Sequence, residues 1–338
     1  MRATVLHAPR DIRSETLPDP KILAPTDAII ETAATCVCGS DLWPYRGINE
    51  FDEPWAIGHE YVGVVREVGS DVTTVKPGQF VIGSFFASDN TCPHCRNGYQ
   101  SGCEQLAPVV GCQAEAIRIP LADGTLVATP DTPSDDMLPD LLALSDVMGT
   151  GWYAARAAGV APGHTTVVVG DGAVGLSAVL AAKEQGAQRI IALSRHPDRQ
   201  AVARAFGATD IVEERGAEAV ERVRELTGGV GADSIAECVG TDEAMTTALD
   251  SARQGGGVGF VGVPHGVKLS AGKLFRNHVR IQGGGAPVRD FLPDLISRVY
   301  AGDFHPGQVF DLRLALADVA QGYQAMDERR AIKAFLIP

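Results

Sequence analysis

The chain has 338 residues, more than one hydrophobic core usually supports, so we expect two domains. Its formal net charge of −13 excludes nucleic acid as a partner, because a phosphate backbone requires a basic face. The N-terminus lacks an apolar signal segment, and no run reaches the roughly 18 apolar residues of a membrane span. We therefore expect a cytoplasmic protein with no membrane partner.

The first 145 or so residues read mostly as short strands and turns. YVGVVREVG at 61–69 is rich in valine and ends in glycine, and VKPGQFVIG at 75–83 places a Pro-Gly turn before an apolar run. This spacing predicts a compact, barrel-like β domain.

From about residue 148 strands and helices alternate. TTVVVG at 165–170 predicts a strand, followed by a helix from Ala173 to near Gly186 and a strand at 189–193. The next helix is expected to be N-capped by Asp198 and to end at Gly207. Repeated βαβ units predict a doubly wound parallel sheet. After about residue 285 the alternation fades, and the tail is expected to pack on the first domain.

A glycine-rich motif follows the strand at 165–170 and opens the next helix. Gly170, Gly172, Ala173, Val174 and Gly175 supply the pattern G-x-G-x-x-G. Its glycines allow a tight turn, close approach of a pyrophosphate and close helix–strand packing, while the helix N-terminus attracts phosphate. The motif predicts dinucleotide binding. The alternative is a glycine-rich turn that binds nothing.

The end of the next strand carries no acidic residue. NAD-binding sites usually place Asp or Glu there for the ribose 2′-hydroxyl, but this chain has Ser194 and Arg195, with Arg199 following. A hydroxyl and two guanidinium groups can bind a 2′-phosphate, which favours NADP(H) over NAD(H). The alternative is that both arginines are solvated surface charges.

Cys92, Cys95 and Cys103 lie close together in the sequence. The chain has seven cysteines, and an odd number without an export signal argues against a disulfide framework. Metal binding is the better explanation. Cys36, Cys112 and Cys238 have no motif role and are expected to be buried or idle thiols.

Further motifs are C-G-S-D at 38–41, G-H-E at 58–60, S-D-V-M-G-T-G at 145–151, V-G-V at 261–263 and I-K-x-x-L at 332–336. Together with the glycine motif they resemble the zinc-containing alcohol dehydrogenase group of the medium-chain dehydrogenase/reductase family, over essentially the whole chain. The pattern is somewhat closer to the threonine, polyol and formaldehyde dehydrogenase-like branch. The resemblance implies a GroES-like, partly open β-barrel at 1–147, completed by 286–338, and a Rossmann domain at 148–285.

The resemblance also implies a catalytic zinc held by Cys38, His59 and Asp146. Thiolate, imidazole and carboxylate are all good zinc donors, and three of them leave a fourth position for substrate. Glu60 matches a glutamate that can approach the metal during ligand exchange. Asp41 matches the carboxylate that orients the histidine ligand.

Other positions match the family's proton relay and coenzyme contacts. Ser40 matches the hydroxyl that passes the alcohol proton onward, while Trp43 stands where many relatives have the outer relay histidine. The matched coenzyme contacts are Thr150, Val261, Gly262 and Val263 at the nicotinamide and Lys333 at the pyrophosphate.

The family's structural zinc lobe has the spacing C-x2-C-x2-C-x7-C, and here Asp89 takes the first place before Cys92, Cys95 and Cys103. Carboxylate also ligates zinc, so we expect a second zinc there. The alternatives are an empty lobe or one whose thiols oxidise. His94 has the wrong spacing and is expected to be exposed.

The predicted function is a hydride transfer between NADP(H) and an alcohol, aldehyde or ketone, with zinc as Lewis acid. Its pocket is expected to suit an apolar or aromatic substrate, with walls drawn from Trp43, Phe85, Met148, Trp55 and Trp152. Two alternatives stay open: a metal-free NADPH quinone or enoyl reductase of the same superfamily, and a non-catalytic nucleotide-binding protein. Relatives form dimers or tetramers, so we expect a homodimer or homotetramer.

Overall fold

A computed structural model describes all residues from 1 to 338 and divides them into two compact units. Unit 1 comprises Met1–Asp146 and Pro287–Pro338, and unit 2 comprises Val147–Ala286. Each boundary lies one residue from the position expected from the sequence. No helix is both long enough and apolar enough to cross a bilayer.

Unit 1 is mainly β-structure with short helices. Its strands are β1 (Arg2–Ala8), β2 (Asp11–Thr16), β3 (Ala28–Cys36), β4 (Trp55–Ala56), β5 (Tyr61–Val68), β6 (Phe80–Gly83), β7 (Phe86–Ala87), β8 (Ala107–Pro108), β9 (Ala116–Ile119), β10 (Leu126–Ala128), β17 (Leu312–Ala315) and β18 (Ala334–Ile337). Its α-helices are α1 (Leu42–Tyr45), α2 (Pro93–Arg96), α3 (Ala122–Thr125), α4 (Leu138–Leu144), α11 (Val288–Ala301) and α12 (Val319–Asp327). Short 3₁₀ turns lie at Gln100–Gly102, Asp135–Met137, Pro306–Val309 and Leu316–Asp318.

Strand β3 is the centre of unit 1. It pairs antiparallel with β5, β9 and β18, and its register shifts twice against β5, at Ile29/Ile30 and at Thr32/Ala34. Such irregularities bend a strand and increase its twist, which lets the sheet curl around its apolar side. The buried interior includes Tyr61, Ile117 and Leu126. Strand β18 brings the tail back to the β domain, as expected.

Unit 2 alternates helices and strands throughout. Its helices are α5 (Val147–Ala158), α6 (Ala173–Glu184), α7 (Pro197–Ala205), α8 (Gly216–Leu226), α9 (Asp242–Ser251) and α10 (Ala271–Asn277). Its strands are β11 (Thr165–Val169), β12 (Arg189–Leu193), β13 (Asp210–Val212), β14 (Ala232–Glu237), β15 (Ala252–Phe260) and β16 (Arg280–Gly283).

All six strands of unit 2 run parallel in the spatial order β13-β12-β11-β14-β15-β16. The chain therefore winds outward from β11 in one direction and then in the other. In such sheets ligands bind beyond the carboxyl ends of the strands where the winding reverses. The glycine motif directly follows β11, so it lies at that point.

The expected cap of helix α7 is wrong. Its N-cap is His196, Pro197 occupies the first helical turn, and Asp198 lies one position further inside. Proline is favoured at the first helical position because its fixed φ suits the helix and its missing N–H would be unpaired there anyway. The expected end is correct, since Gly207 has φ +112°.

Candidate functional site

Four potential metal ligands converge in unit 1: Cys38, His59, Glu60 and Asp146. One ligand atom from each lies within 4.8 Å of all the others. Cys38 Sγ is 3.5 Å from Asp146 Oδ2, and His59 Nε2 is 3.3 Å from the same oxygen. The structure thus brings together the thiol, imidazole and carboxylate that the sequence motifs single out. We call these four residues the metal cluster.

The pairing of β3 with β5 explains how the cluster forms. Cys38 comes just after β3, while His59 and Glu60 come just before β5, and Thr35 is paired with Tyr61 across the two strands. Antiparallel pairing therefore places the end of one strand beside the start of the other. Asp146 follows α4 and completes the cluster.

The charge and burial of the cluster favour a bound cation. Burial raises the pKa of the Cys38 thiol, and the carboxylates of Asp146 and Glu60 raise it further. Glu60 is fully buried, and its Oε2 has no hydrogen-bond partner. Burying an unpaired carboxylate oxygen is costly, and a divalent cation would offset that cost and favour the thiolate. The donor set of sulfur, nitrogen and oxygen fits zinc.

Asp41 fixes the histidine of the cluster. Its Oδ1 lies 3.3 Å from His59 Nδ1, and its Oδ2 accepts a 2.9 Å hydrogen bond from the backbone N–H of Cys38. This arrangement orients His59 with Nε2 toward the cluster, as in carboxylate–histidine–metal sites. The structure therefore places Asp41 where the sequence resemblance puts the orienting carboxylate.

A buried polar chain, which the sequence did not reveal, holds Asp41 in turn. Gln113 Nε2 donates hydrogen bonds to Asp41 Oδ2 at 3.3 Å and to the Cys36 carbonyl at 3.1 Å. Tyr323 Oη donates to Gln113 Oε1 at 3.2 Å, and both side chains are fully buried. We call this pair the Gln113–Tyr323 chain. No motif surrounds either residue, so only the folded chain identifies them.

Lys333 joins the cluster through an ion pair. Its Nζ lies 2.6 Å from Glu60 Oε1 and donates a 3.1 Å hydrogen bond to the Val37 carbonyl, with side-chain exposures of 1% for Lys333 and 0% for Glu60. The sequence did not indicate this pairing. A contact between Lys333 and the coenzyme pyrophosphate stays a prediction.

The second cluster lies in the loop around α2. Cys92 Sγ is 3.5 Å from Cys95 Sγ and 4.0 Å from Cys103 Sγ, and one ligand atom of Asp89 lies within 4.8 Å of these sulfurs. Burial raises the pKa of Asp89, but hydrogen bonds from the N–H groups of Thr91 and Cys92 outweigh it and lower the pKa to about 2. Asp89 is therefore an anion at neutral pH, which suits a cation site. His94 is exposed, as expected.

The glycine turn has the geometry that a dinucleotide motif requires. Gly170 has φ +115°, and a Cβ on Gly175 would lie 2.0 Å from the Gly170 carbonyl oxygen. A Cβ on Gly172 would meet nothing within 4 Å, so this backbone is open to a ligand. Ala173 and Val174 begin helix α6, whose first N–H groups are unpaired in the usual way.

The remaining predicted coenzyme residues also lie in unit 2. Ser194 is buried and hydrogen-bonded to Asp171, Arg199 contacts Asp171 as well, and Arg195 is exposed. Thr150 is buried in α5. Val261 and Gly262 follow β15 and donate their N–H groups to the Glu237 carbonyl, while Val263 is 56% exposed.

Known protein families match residues of both units. The family model "Alcohol dehydrogenase GroES-like domain" matches residues 24–131, and "Zinc-binding dehydrogenase" matches residues 173–298. Zinc-type alcohol dehydrogenase B of Aspergillus flavus is 33% identical, over 98% of this chain and 80% of its own length. The chain belongs to the family of zinc-dependent medium-chain dehydrogenases.

Two further relatives support the same assignment. An uncharacterized zinc-type alcohol dehydrogenase-like protein of Bacillus subtilis is 31% identical over the full length of both chains. The solved structure of the alcohol dehydrogenase TADH from Thermus sp. ATN1 superposes with a TM-score of 0.92 at 28% identity, covering 100% of this chain and 99% of that one. The predicted fold class is confirmed. Family membership makes the chain an alcohol oxidoreductase and implies zinc and a nicotinamide coenzyme.

This dehydrogenase has a cavity of about 270 Å³ in unit 1, next to the metal cluster. Its lining comprises Ser40, Asp41, Pro44, Asn49, Glu50, Phe51, Trp55 and His59. Of the predicted wall residues, Trp55 lines the cavity and Phe85 packs edge-on against His59 at 6.0 Å between ring centroids. The polar side chains of Asn49 and Glu50 were not anticipated from the sequence.

Proposed function

We propose that this chain is a zinc-dependent oxidoreductase that transfers hydride between NADP(H) and an alcohol, aldehyde or ketone. The observation that carries the proposal is the metal cluster, whose ligand atoms converge within 4.8 Å beside a cavity that also contains Ser40. Without a catalyst the reaction is slow, because nothing stabilises the negative charge on the substrate oxygen. A cation bound beside this cavity would stabilise that charge.

Cys38, His59 and Asp146 would hold the metal. Glu60 would bind the metal only transiently, during ligand exchange. Bound zinc supplies Lewis acidity at the reacting oxygen. Asp41 keeps His59 Nε2 directed at the cluster. Ser40 lines the cavity beside His59, and we expect its hydroxyl to move a proton between the substrate oxygen and solvent. Trp43 carries no exchangeable group of suitable acidity, so a ribose hydroxyl, water or another side chain would complete that route.

The dinucleotide binds at the glycine turn of unit 2, with its phosphates at the N-terminus of α6. Arg195 is exposed at the end of β12, and Arg199 follows in the first turns of α7. Their charge favours a 2′-phosphate, so we expect NADPH to bind more tightly than NADH.

Arg195→Ala should weaken NADPH binding about tenfold and leave the affinity for NADH unchanged. Equal affinities of the parent protein for both coenzymes, measured by nicotinamide fluorescence, would contradict this preference.

A coenzyme-by-substrate screen on protein of measured zinc content tests the proposed reaction. We expect turnover of apolar or aromatic alcohols and carbonyls that is lost on removal of zinc by a chelator and restored by added zinc. Activity that persists in metal-free protein would favour a quinone or enoyl reductase. Absence of turnover across the panel, with coenzyme still bound, would favour a non-catalytic nucleotide-binding protein.

Asp89, Cys92, Cys95 and Cys103 form the proposed structural zinc site. Asp89→Ala removes one of four ligands and should lower the zinc content measured by mass spectrometry from two ions per chain to about one. His94→Ala, an exposed residue of the same loop, is the matched control and should retain two ions. Two ions per chain in Asp89→Ala would show that Asp89 is not a ligand.

We also propose that a second copy of the chain pairs with the open edge of the unit 2 sheet. Strand β16 is the last strand in the sheet order and has no neighbour on its outer side. Leu269 and Phe275, just before it in the chain, are 49% and 82% exposed. An unpaired strand edge and exposed apolar side chains each favour association. Light scattering in solution should give the mass of a dimer or tetramer.

A further inference from the structure

The glycine turn carries a carboxylate that the proposed reaction does not use. Asp171 occupies the variable position between Gly170 and Gly172, and its side chain reaches the end of the neighbouring strand β12. Its Oδ2 accepts a 2.9 Å hydrogen bond from Ser194 Oγ. Its Oδ1 lies 3.3 Å from Arg199 Nη1, which also donates to the Asp171 backbone carbonyl at 3.3 Å.

This carboxylate lies where a Rossmann domain distinguishes its coenzymes. Ser194 directly follows β12, the strand whose end usually bears the acidic residue that binds the ribose 2′-hydroxyl. The sequence predicts NADP(H) because no residue at this strand end is acidic. In the folded chain the preceding turn places the Asp171 carboxylate there instead. The strand end therefore does contact an acidic group, although Arg195 and Arg199 still favour a phosphate.

The contacts of Asp171 use the groups that would bind a 2′-phosphate. The Ser194 hydroxyl proton and one edge of the Arg199 guanidinium are directed at the carboxylate, and the ion pair is well shielded, with exposures of 12% for Asp171 and 14% for Arg199. A phosphate arriving there would have to compete for both donors and would meet a like charge. A ribose hydroxyl would meet an available acceptor, because each carboxylate oxygen has two lone pairs.

We propose that Asp171 is a coenzyme-specificity residue, which binds the adenosine ribose and disfavours a 2′-phosphate. It offsets the preference for NADP(H) that Arg195 and Arg199 provide. The proposal rests on the proposed function in one respect, namely that unit 2 binds a nicotinamide dinucleotide. It does not depend on which coenzyme the parent protein prefers, since it concerns the change that follows when the carboxylate is removed.

Asp171→Asn tests this role, because it removes the charge and keeps the shape. In the zinc-loaded protein we expect the ratio of the NADH dissociation constant to the NADPH dissociation constant to rise about 10- to 100-fold. Nicotinamide fluorescence measures both constants without turnover. Competition with 2′,5′-ADP and 5′-AMP locates the change, since only the affinity for 2′,5′-ADP should increase. Asp171→Ser should change the ratio in the same direction and serves if the asparagine variant folds poorly.

Asp198→Asn is the matched control. Asp198 is exposed in the first turn of α7, so Asp198→Asn removes the same charge near Arg199 as Asp171→Asn does. In this variant the ratio of the NADH to the NADPH dissociation constant should stay within about twofold of the parent value. An unchanged ratio in Asp171→Asn, or the same change in both variants, would overturn the role of Asp171 and leave the proposed function intact. If the parent protein bound neither coenzyme, the proposed function and this inference would both be wrong.

Discussion

Replacing Cys38 by serine is expected to lower kcat/KM by about three orders of magnitude or more, because Lewis-acid stabilisation of the reacting oxygen contributes several kcal/mol. Serine is a poor zinc ligand at neutral pH. Without the Cys38 thiolate, only His59 and the carboxylates of the cluster remain as zinc ligands. The zinc content should fall from two ions per chain to about one. The fold should persist, because the substitution is nearly isosteric and Cys38 is not part of the apolar cluster around Tyr61 and Ile117.

Cys112→Ala provides the control for Cys38→Ser. Cys112 is fully buried in the apolar core of unit 1 and belongs to neither metal cluster. This variant should keep two zinc ions and nearly full activity, while losing some stability through a small cavity. Two zinc ions and parental activity in Cys38→Ser would contradict the ligand assignment. Mass spectrometry of the metal and steady-state kinetics make both comparisons.

Lys333→Met should lower the free energy of unfolding by about 3–5 kcal/mol, because it leaves the Glu60 carboxylate buried without its counter-charge. Both side chains of this ion pair are almost completely buried, with the Lys333 Nζ 2.6 Å from Glu60 Oε1. Glu60→Gln should have a similar effect, since it leaves a buried ammonium group. Denaturant titration of protein freed of zinc by a chelator measures each loss, because a bound cation would itself neutralise part of the Glu60 charge.

The double variant Glu60→Gln/Lys333→Met separates the pairing from the loss of either side chain. It should lose less stability than the two single variants added together, because neither charge remains without its partner. Arg222→Met is the control for a surface ion pair. Arg222 and Glu225 are 47% and 66% exposed, so this variant should change stability by no more than about 1 kcal/mol. A Lys333→Met variant no more destabilised than Arg222→Met would contradict a buried pair.

The sequence predicted those parts of the molecule that depend on spacing along the chain. The intervals between Cys38, His59 and Asp146 and between Asp89, Cys92, Cys95 and Cys103 match known motifs, and the fold brings each set together. The glycine turn also depends on local spacing, and its backbone has the expected geometry. Local order specifies these features because each strand or turn positions its own residues.

Contacts between distant parts of the chain were not predictable in the same way. Gln113 meets Tyr323 and Glu60 meets Lys333 only because β18 and α12 return to the β domain. Gln113 and Tyr323 stand in no motif. Glu60 and Lys333 each stand in one, but neither motif indicates that the two side chains pair. Asp171 stands at a variable position of the glycine motif, and its contacts with Ser194 and Arg199 arise only because β11 and β12 pair side by side. The cap of α7 could have been predicted from Pro197, whose preference for the first helical position marks His196 as the cap.

The position of Tyr323 and Lys333 in the chain has a consequence for how the metal cluster forms. All four members of the metal cluster belong to the first 146 residues, but two of their supports arrive only after unit 2 has been synthesised. If docking of residues 287–338 strengthens the grip on a cation, the cation must strengthen that docking by the same free energy. We therefore expect tight metal uptake to follow the folding of residues 287–338.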